Sequence, residues 1–526
     1  MNSRLLNKAQ GTTRRALRAT VTRRATVRRR ALWILSAILF ISWGGPAANA
    51  FWQSLSSSNF AAAQGDTMPQ GSTPTRSLSG TNVTLSWSAA TTPSGHAVSG
   101  YTIARYSSST GGTKVSATGG CAGTVSGLGC TEQSVPDGTW YYAVTPIISL
   151  WTGTESPRSS AVSIDTTPPV VSVASISPTP NGAGYNNTSP VTVNLSATDT
   201  GGSGVASIKY TVDGGTTVTV NAATAAVTVN GDGTHSVSYF ATDVAGNAST
   251  PQTQTIKIDT VAPAAPTISV PSYVNIANKA NVPVTGTAEA GASVTVTVTD
   301  AGSAHSASQT AVANGSGAWS TSGLDVSGLN DGTVSYRAVA MDAAGNASTA
   351  ATATSTKDTV APTVSAVALG NGGTAGTADA GDSVVITYSA HMDATKFCAG
   401  WTNTGIQTLS VNNDVTVTLN DNGANDTLSV SSTACPTLKI GTVALGGNYT
   451  NSGPVTFKGN GSNKSTVQWD PTTFKLTIVL GTRSGTVISN VPAGLPSYTP
   501  ASGLLDYPAG NPLAATPFTS ASASRF

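Results

Sequence analysis

Asp259-Thr-Val-Ala-Pro263 and Asp358-Thr-Val-Ala-Pro362 are one pentapeptide met twice, and Asp165-Thr-Thr-Pro-Pro169 is a looser third copy. Their aspartates are 94 residues apart (165 to 259) and then 99 apart (259 to 358). A second signal keeps step with the first. Asp243-Val-Ala-Gly-Asn247 and Asp342-Ala-Ala-Gly-Asn346 each stand 16 residues ahead of the next D-T-x-x-P (243 to 259, 342 to 358). Asp506-Tyr-Pro-Ala-Gly-Asn511 is a looser copy near the C-terminus. Two landmarks in phase, at a period near 100, describe a tandem array of modules.

Between the landmarks the pattern is that of strands. Val191-Thr-Val-Asn-Leu195, Val218-Thr-Val220, Val227-Thr-Val229, Val294-Thr-Val-Thr-Val298 and Val415-Thr-Val-Thr-Leu419 alternate apolar and polar residues. That period of two puts one face on a core and one in water. Turn signals separate the runs: Asp213-Gly214, Asn230-Gly231, Asn314-Gly315, Asp331-Gly332 and Asn422-Gly423. Several short strands per hundred residues predict an all-β chain, a tandem array of antiparallel β-sandwiches. Pro at each junction suits a linker, because it cannot donate to a ladder and it stiffens the crossing.

Composition agrees. The 526 residues suggest about three to five domains at roughly 100–200 residues each. Only 10% of residues are charged, against about 25% in an average soluble domain, so coiled coils and helical bundles lack the residues for their faces. With 39% hydrophobic residues and recurring β-branched runs, the chain is not wholly disordered.

The formal net charge of +2 hides a division. Residues 1–30 carry ten basic side chains and no acid; an apolar run from Ala31 to Trp43 follows, then small residues ending Ala48-Asn49-Ala50. A basic n-region, a short h-region and an A-x-A site are the parts of a secretory signal, cleaved after Ala48–Ala50 or kept as an N-terminal anchor helix in the membrane through residues 31–50. The apolar run is short for a span, which needs roughly 17–25 residues. The arginines are explained by positive-inside retention, without nucleic acid. Without residues 1–50 the chain holds 16 basic and 24 acidic side chains, net −8, which also argues against a nucleic-acid partner. For such an exported chain Cys121 with Cys130, and Cys398 with Cys435, are expected to form two local disulfides. Zinc is disfavoured, since there is no C-x-x-C and the four histidines are scattered.

The expected organisation is 1–50 signal or anchor, 51–73 flexible leader, and modules at 74–165, 166–258, 259–357 and 358–526. Val83-Thr-Leu-Ser-Trp87, Gly100-Tyr-Thr-Ile-Ala-Arg105 and Gly138-Thr-Trp-Tyr-Tyr-Ala-Val144 resemble strands B, C and F of a fibronectin type III domain. The resemblance implies that Trp87 is the core tryptophan and that Tyr142 points into the same sandwich. Trp140 stands where that family has its corner tyrosine. Tyr210-Thr-Val-Asp-Gly-Gly215 with Ala241–Asn247, and Gly286-Thr-Ala-Glu-Ala-Gly291 with Gly317-Ala-Trp319 and Asp342–Asn346, resemble bacterial Ig-like repeats. Such repeats form stalks of large secreted or surface-attached bacterial proteins. Residues 358–526 begin similarly, at Ala380-Gly-Asp-Ser-Val-Val-Ile-Thr-Tyr388, but exceed one sandwich: an enlarged Ig-like domain, or one with an irregular tail.

Two kinds of chemistry are in question. Asp243, Asn247 and Asp259, and likewise Asp342, Asn346 and Asp358, place oxygen ligands between the end of one module and the start of the next. Ca2+ takes six to eight such oxygens and would stiffen the row, as in the adhesin repeats these modules resemble. Alternatively, the loop caps its own backbone with its Asx side chains while Gly supplies a positive φ. Trp140, Tyr141, Tyr142 and Trp151, and Trp401, Tyr449 and Trp469, offer either a stacking platform for sugars or core aromatics. No nucleophile–base pair, paired-carboxylate motif or metal spacing singles out a catalytic set, so no enzyme activity is expected. The reading is a non-catalytic extracellular or cell-surface protein with a structural, adhesive role toward a surface protein or polysaccharide. The alternative is a polysaccharide-binding accessory of extracellular glycan breakdown.

Overall fold

The computed structural model describes residues 50–53 and 64–526. The basic segment, the apolar run and the A-x-A site at Ala48 lie outside these residues, as does every side chain before residue 65. Among the described residues no helix is long and apolar enough to cross a membrane, and the one α-helix is Ala394–Phe397. The chain forms two compact units, Met1–Ser163 and Ile164–Phe526.

In the first unit, a sheet of Thr75–Ser79, Asn82–Ser86 and Gly129–Glu132 faces one built around the paired strands Gly100–Tyr106 and Gly138–Ile148. Their apolar faces meet at Val83, Leu85, Trp87, Tyr101, Ile103, Tyr142 and Val144. Trp87 packs edge-on against Tyr101 with centroids 5.3 Å apart, so the expected core tryptophan is in place. Trp140 is half-buried, and its indole Nε1 donates to the Pro136 carbonyl at 2.7 Å. Gly138, two residues before Trp140, has a φ of 136°, a backbone conformation that favours glycine. Cys121 and Cys130 are disulfide-bonded. Nearby, Glu132 is fully buried and accepts from Arg105, from the Tyr142 hydroxyl at 2.8 Å and from the Thr118 amide at 2.8 Å. A buried carboxylate needs such partners, because leaving it unpaired costs several kcal/mol, of order 3–5.

The second unit holds three separate cores, spanning residues 171–258, 274–340 and 367–526; the structures around them are called here the first repeat, the second repeat and the C-terminal domain. In the first repeat, Val170–Ser177, Val191–Thr198 and Thr224–Val229 make one sheet, and Tyr185–Asn186, Gln252–Ile258, Gly233–Asp243, Val205–Val212 and Val218–Val220 make the other. The alternating runs are strands as read, with Val191, Val193 and Leu195 inside and Thr192, Asn194 and Ser196 outward. Asp213 and Gly214 both have positive φ, as a type I′ hairpin turn requires. The second repeat has the same five-stranded sheet, ordered Tyr273–Val274, Ala351–Lys357, Gly332–Met341, Ser293–Thr299 and Ser306–Val312. In both repeats the short first strand of this sheet runs parallel to the last strand, so the chain enters at one end and leaves at the other.

The C-terminal domain pairs a five-stranded sheet with a seven-stranded one around a single core. Its last residues are not an irregular appendage. Phe518–Thr519 extends the larger sheet, and Phe526 is fully buried against Tyr449 at 5.2 Å. Cys398 and Cys435 are disulfide-bonded.

Candidate functional site at the module junctions

The D-T-x-x-P and D-x-A-G-N signals meet in space, but in a different phase from the sequence expectation. The expected calcium set groups Asp243 and Asn247 with Asp259. Asp243 ends the strand Gly233–Asp243, whereas Asp259 follows Ile258, which pairs with Gly233 at the strand's other end. Ten residues of strand separate them, about 30 Å at ~3.3 Å per residue. Asp342 and Asn346 are parted from Asp358 in the same way, since Gly332 pairs with Lys357. The six residues therefore form no shared site as grouped; each D-x-A-G-N loop instead meets the D-T-x-x-P in front of it.

There the loop acts as a clasp. Asp243 is buried, and its Oδ1 accepts from the amides of Gly246 at 2.6 Å and Asn247 at 2.7 Å. Its Oδ2 accepts from Asn247 Nδ2 at 2.7 Å, and that amide also donates to the carbonyl of Asp165 at 2.9 Å. Asp342 and Asn346 repeat the pattern, with Asn346 Nδ2 on the Asp259 carbonyl at 2.8 Å. Asp506 and Asn511 repeat it again, with Asn511 Nδ2 on the Asp358 carbonyl at 3.0 Å. Gly246, Gly345 and Gly510 have φ of 99°, 95° and 80°, which is why glycine stands there in all three loops.

The remaining letters of D-T-x-x-P also have partners. Each aspartate caps its own turn: Asp165, Asp259 and Asp358 accept the amide two residues on at 3.0, 3.1 and 3.0 Å. Thr260 ties the outgoing strand to Asp232 through its amide and hydroxyl, and Thr359 does the same to Asp331.

Sequence reasoning missed the residues that reach across. Asn181 Nδ2 of the first repeat donates to the carbonyls of Ala343 and Ala344 in the second repeat's loop, at 2.9 and 3.0 Å. Asn275 Nδ2 of the second repeat donates to the Ala509 carbonyl of the C-terminal domain at 2.7 Å, and the Ile276 amide to Asn511 Oδ1 at 2.9 Å. Both asparagines stand 16 residues after the aspartate that opens their own repeat (165 to 181, 259 to 275), an offset that could have revealed them.

At the first junction the clasp carries extra charge. Asp165, Asp199 and Asp243 each bring a carboxylate oxygen within 4.8 Å of the others, the one such acidic group among the described residues. Ser203 donates its amide to Asp165 Oδ2 at 2.6 Å and Gly204 to Asp199 Oδ2 at 2.7 Å, while Asp199 Oδ1 is buried without a partner. Hydrogen bonds from Ser203 hold the Asp165 carboxyl below the usual carboxylate range.

Most of the aromatics offered for sugar stacking are in the cores. Tyr142, Trp469, Tyr449 and Trp401 are buried, and Trp140 and Tyr141 are half-buried; Trp151 alone is exposed.

No known protein family and no curated protein matches the chain. Among solved structures, it is similar to a tetra-tandem repeat in the extending region of a large adhesion protein, at 17% identity over 79% of this chain and 99% of that one, TM-score 0.24. A Ca2+-stabilised adhesin with which an Antarctic bacterium binds ice matches at 16% identity, over 78% of this chain and 99% of that one, TM-score 0.26. Fibronectin(III)-like modules of Clostridium thermocellum CbhA match at 18% identity, over 36% of this chain and 90% of that one, TM-score 0.18. Its structural neighbours are fibronectin III-like and adhesin tandem-repeat domains. At these scores none of them bears on what this chain binds.

Proposed function

We propose that this chain is a non-catalytic, extracytoplasmic stalk with an adhesive role, divided at 74–165, 166–258, 259–357 and 358–526. Residues 1–50 deliver it, and if they are not cleaved, residues 31–50 hold it in the membrane. The observation that carries the reading is the clasp found at three successive junctions, with Asn181 and Asn275 crossing two of them. Hydrogen bonds spent on fixing the linkers serve a protein whose work depends on holding its modules in place. Two disulfides suit an oxidising compartment. Its partner is a surface protein or polysaccharide.

Among the described residues, a divalent cation such as Ca2+ fits the first junction only. The three carboxylates there bring more negative charge than their amide donors balance, and Asp199 Oδ1 is buried without a hydrogen-bond partner.

The stalk reading is tested in cells. Deleting residues 166–258 while keeping the rest should abolish surface attachment, and replacing the segment with an unrelated rigid module of equal length should restore it. Attachment that survives the deletion, or that the unrelated module fails to restore, rules the stalk out.

A further inference from the structure

The five-stranded sheet of the second repeat turns one face to its core and the other to solvent. The register of its strands lays the solvent face out in rows: Thr310, Thr295 and Val339; then Ser308, Thr297, Arg337 and Thr352; then Ser306, Thr299, Ser335 and Thr354. Around Arg337 lies a depression of about 410 Å³, lined by Thr297, Thr299, Ser335, Thr352 and Thr354 together with Tyr336 and Ala353. That is room for a sugar residue, at the small end of the ~300–1,000 Å³ range of ligand sites.

Two features separate this face from an ordinary solvated sheet. Arg337 has no ion pair and no hydrogen bond within the described residues, and no carboxylate occurs in any of these rows. The five lining hydroxyls are likewise free of side-chain partners, whereas Thr295 and Thr310 in the next row bond each other at 3.2 Å. The first repeat lacks the device. Five residues ahead of its clasp aspartate, where the second repeat has Arg337, it has Ser238.

We propose that this face binds an acidic sugar residue of a polysaccharide, a uronate or a sulfated sugar. The guanidinium presents a planar fork of donors that matches a carboxylate or sulfate bidentately, and the hydroxyls exchange hydrogen bonds with the sugar's own. A nucleic acid would need several cations along its backbone, and the rows supply one. The inference rests on the adhesive part of the proposed function and names its ligand class. Because the stalk test deletes and replaces only the first repeat, which lacks this face, it can succeed when this one fails.

The test is calorimetric titration of the full chain with a trigalacturonate, a sulfated dextran oligomer and a neutral dextran oligomer. Binding of either acidic sugar, with none of the neutral one, is the expected result, and the two acidic arms separate carboxylate from sulfate recognition. Arg337→Ala should weaken that binding at least tenfold with an unchanged melting temperature, and Arg337→Lys should keep part of it, since it retains charge without the fork. Equal binding by Arg337→Ala, equal binding of the neutral oligomer, or no binding of either acidic sugar overturns the proposal.

Discussion

The junction at Asp165 and the junction at Asp358 use one clasp in two electrostatic settings. At Asp358 the clasping Asn511 has no exposed surface and accepts an amide from the preceding repeat, so its hydrogen bonds form away from water. At Asp165 the clasping Asn247 is half-buried, and Asp199 adds a third carboxylate to Asp165 and Asp243. The difference teaches that a repeated motif closes a loop on its linker while the neighbouring residues decide how strongly it closes.

The sharpest way to break that comparison is to remove the same asparagine from both. Asn511→Ala should cost about 3 kcal/mol in urea denaturation, because several buried partners lose their hydrogen bonds at once. Asn247→Ala should cost about 1 kcal/mol, since water can reach part of the half-buried site and replace it. Equal losses would mean that burial does not separate the two joints.

The next expectation concerns charge. Without divalent cations, Asp199→Asn should stabilise the chain by about 1 kcal/mol through relief of like-charge crowding. Millimolar Ca2+ should raise the parent's melting temperature by about 5 °C, the shift that roughly 1 kcal/mol of ligand linkage gives a domain of this size. Asp199→Asn should abolish that response, and Asp342→Asn should leave it intact. A response that follows Asp342 would place the cation at the wrong junction.

The smallest effect is in the pH profile. Asp165 is held low by Ser203's hydrogen bonds, so its contribution is present above the unfolded carboxylate value of about 4 and is lost as pH falls through its folded value. Asp382 of the C-terminal domain is raised by burial, so the folded state takes up its proton first and gains stability as pH falls. Thermal melts from pH 5 to 3 should therefore fall less steeply for Asp165→Asn than for the parent, and more steeply for Asp382→Asn. The opposite order would contradict these assignments.

Much of the architecture could be read from residues near one another in the chain. Val191–Leu195 and Val294–Val298 announce strands by alternation, and Gly246 and Gly345 announce a loop with positive φ. What could not be read was which linker the loop closes on. Asp243 is nearer in sequence to Asp259 than to Asp165, but the strand Gly233–Asp243 runs back toward the entry end, and only the sheet's pairing reveals that. Asp199 joins the first junction from a loop 34 residues past Asp165, with no local pattern to mark it. Glu132 and Arg105 are hidden similarly, as a buried pair brought together from separate strands. Trp140 was legible as a departure from the tyrosine of the fibronectin III domains that segment resembles, yet its bond to Pro136 needed geometry to be seen.

The central claim is that each D-x-A-G-N loop closes on the linker ahead of it. Hydrogen–deuterium exchange of the full chain carrying Asn346→Ala tests it most directly. Faster exchange confined to residues 259–263 and the 342–346 loop, with residues 358–362 unchanged, is the predicted result. Faster exchange at residues 358–362 instead, or no change at either linker, would contradict it.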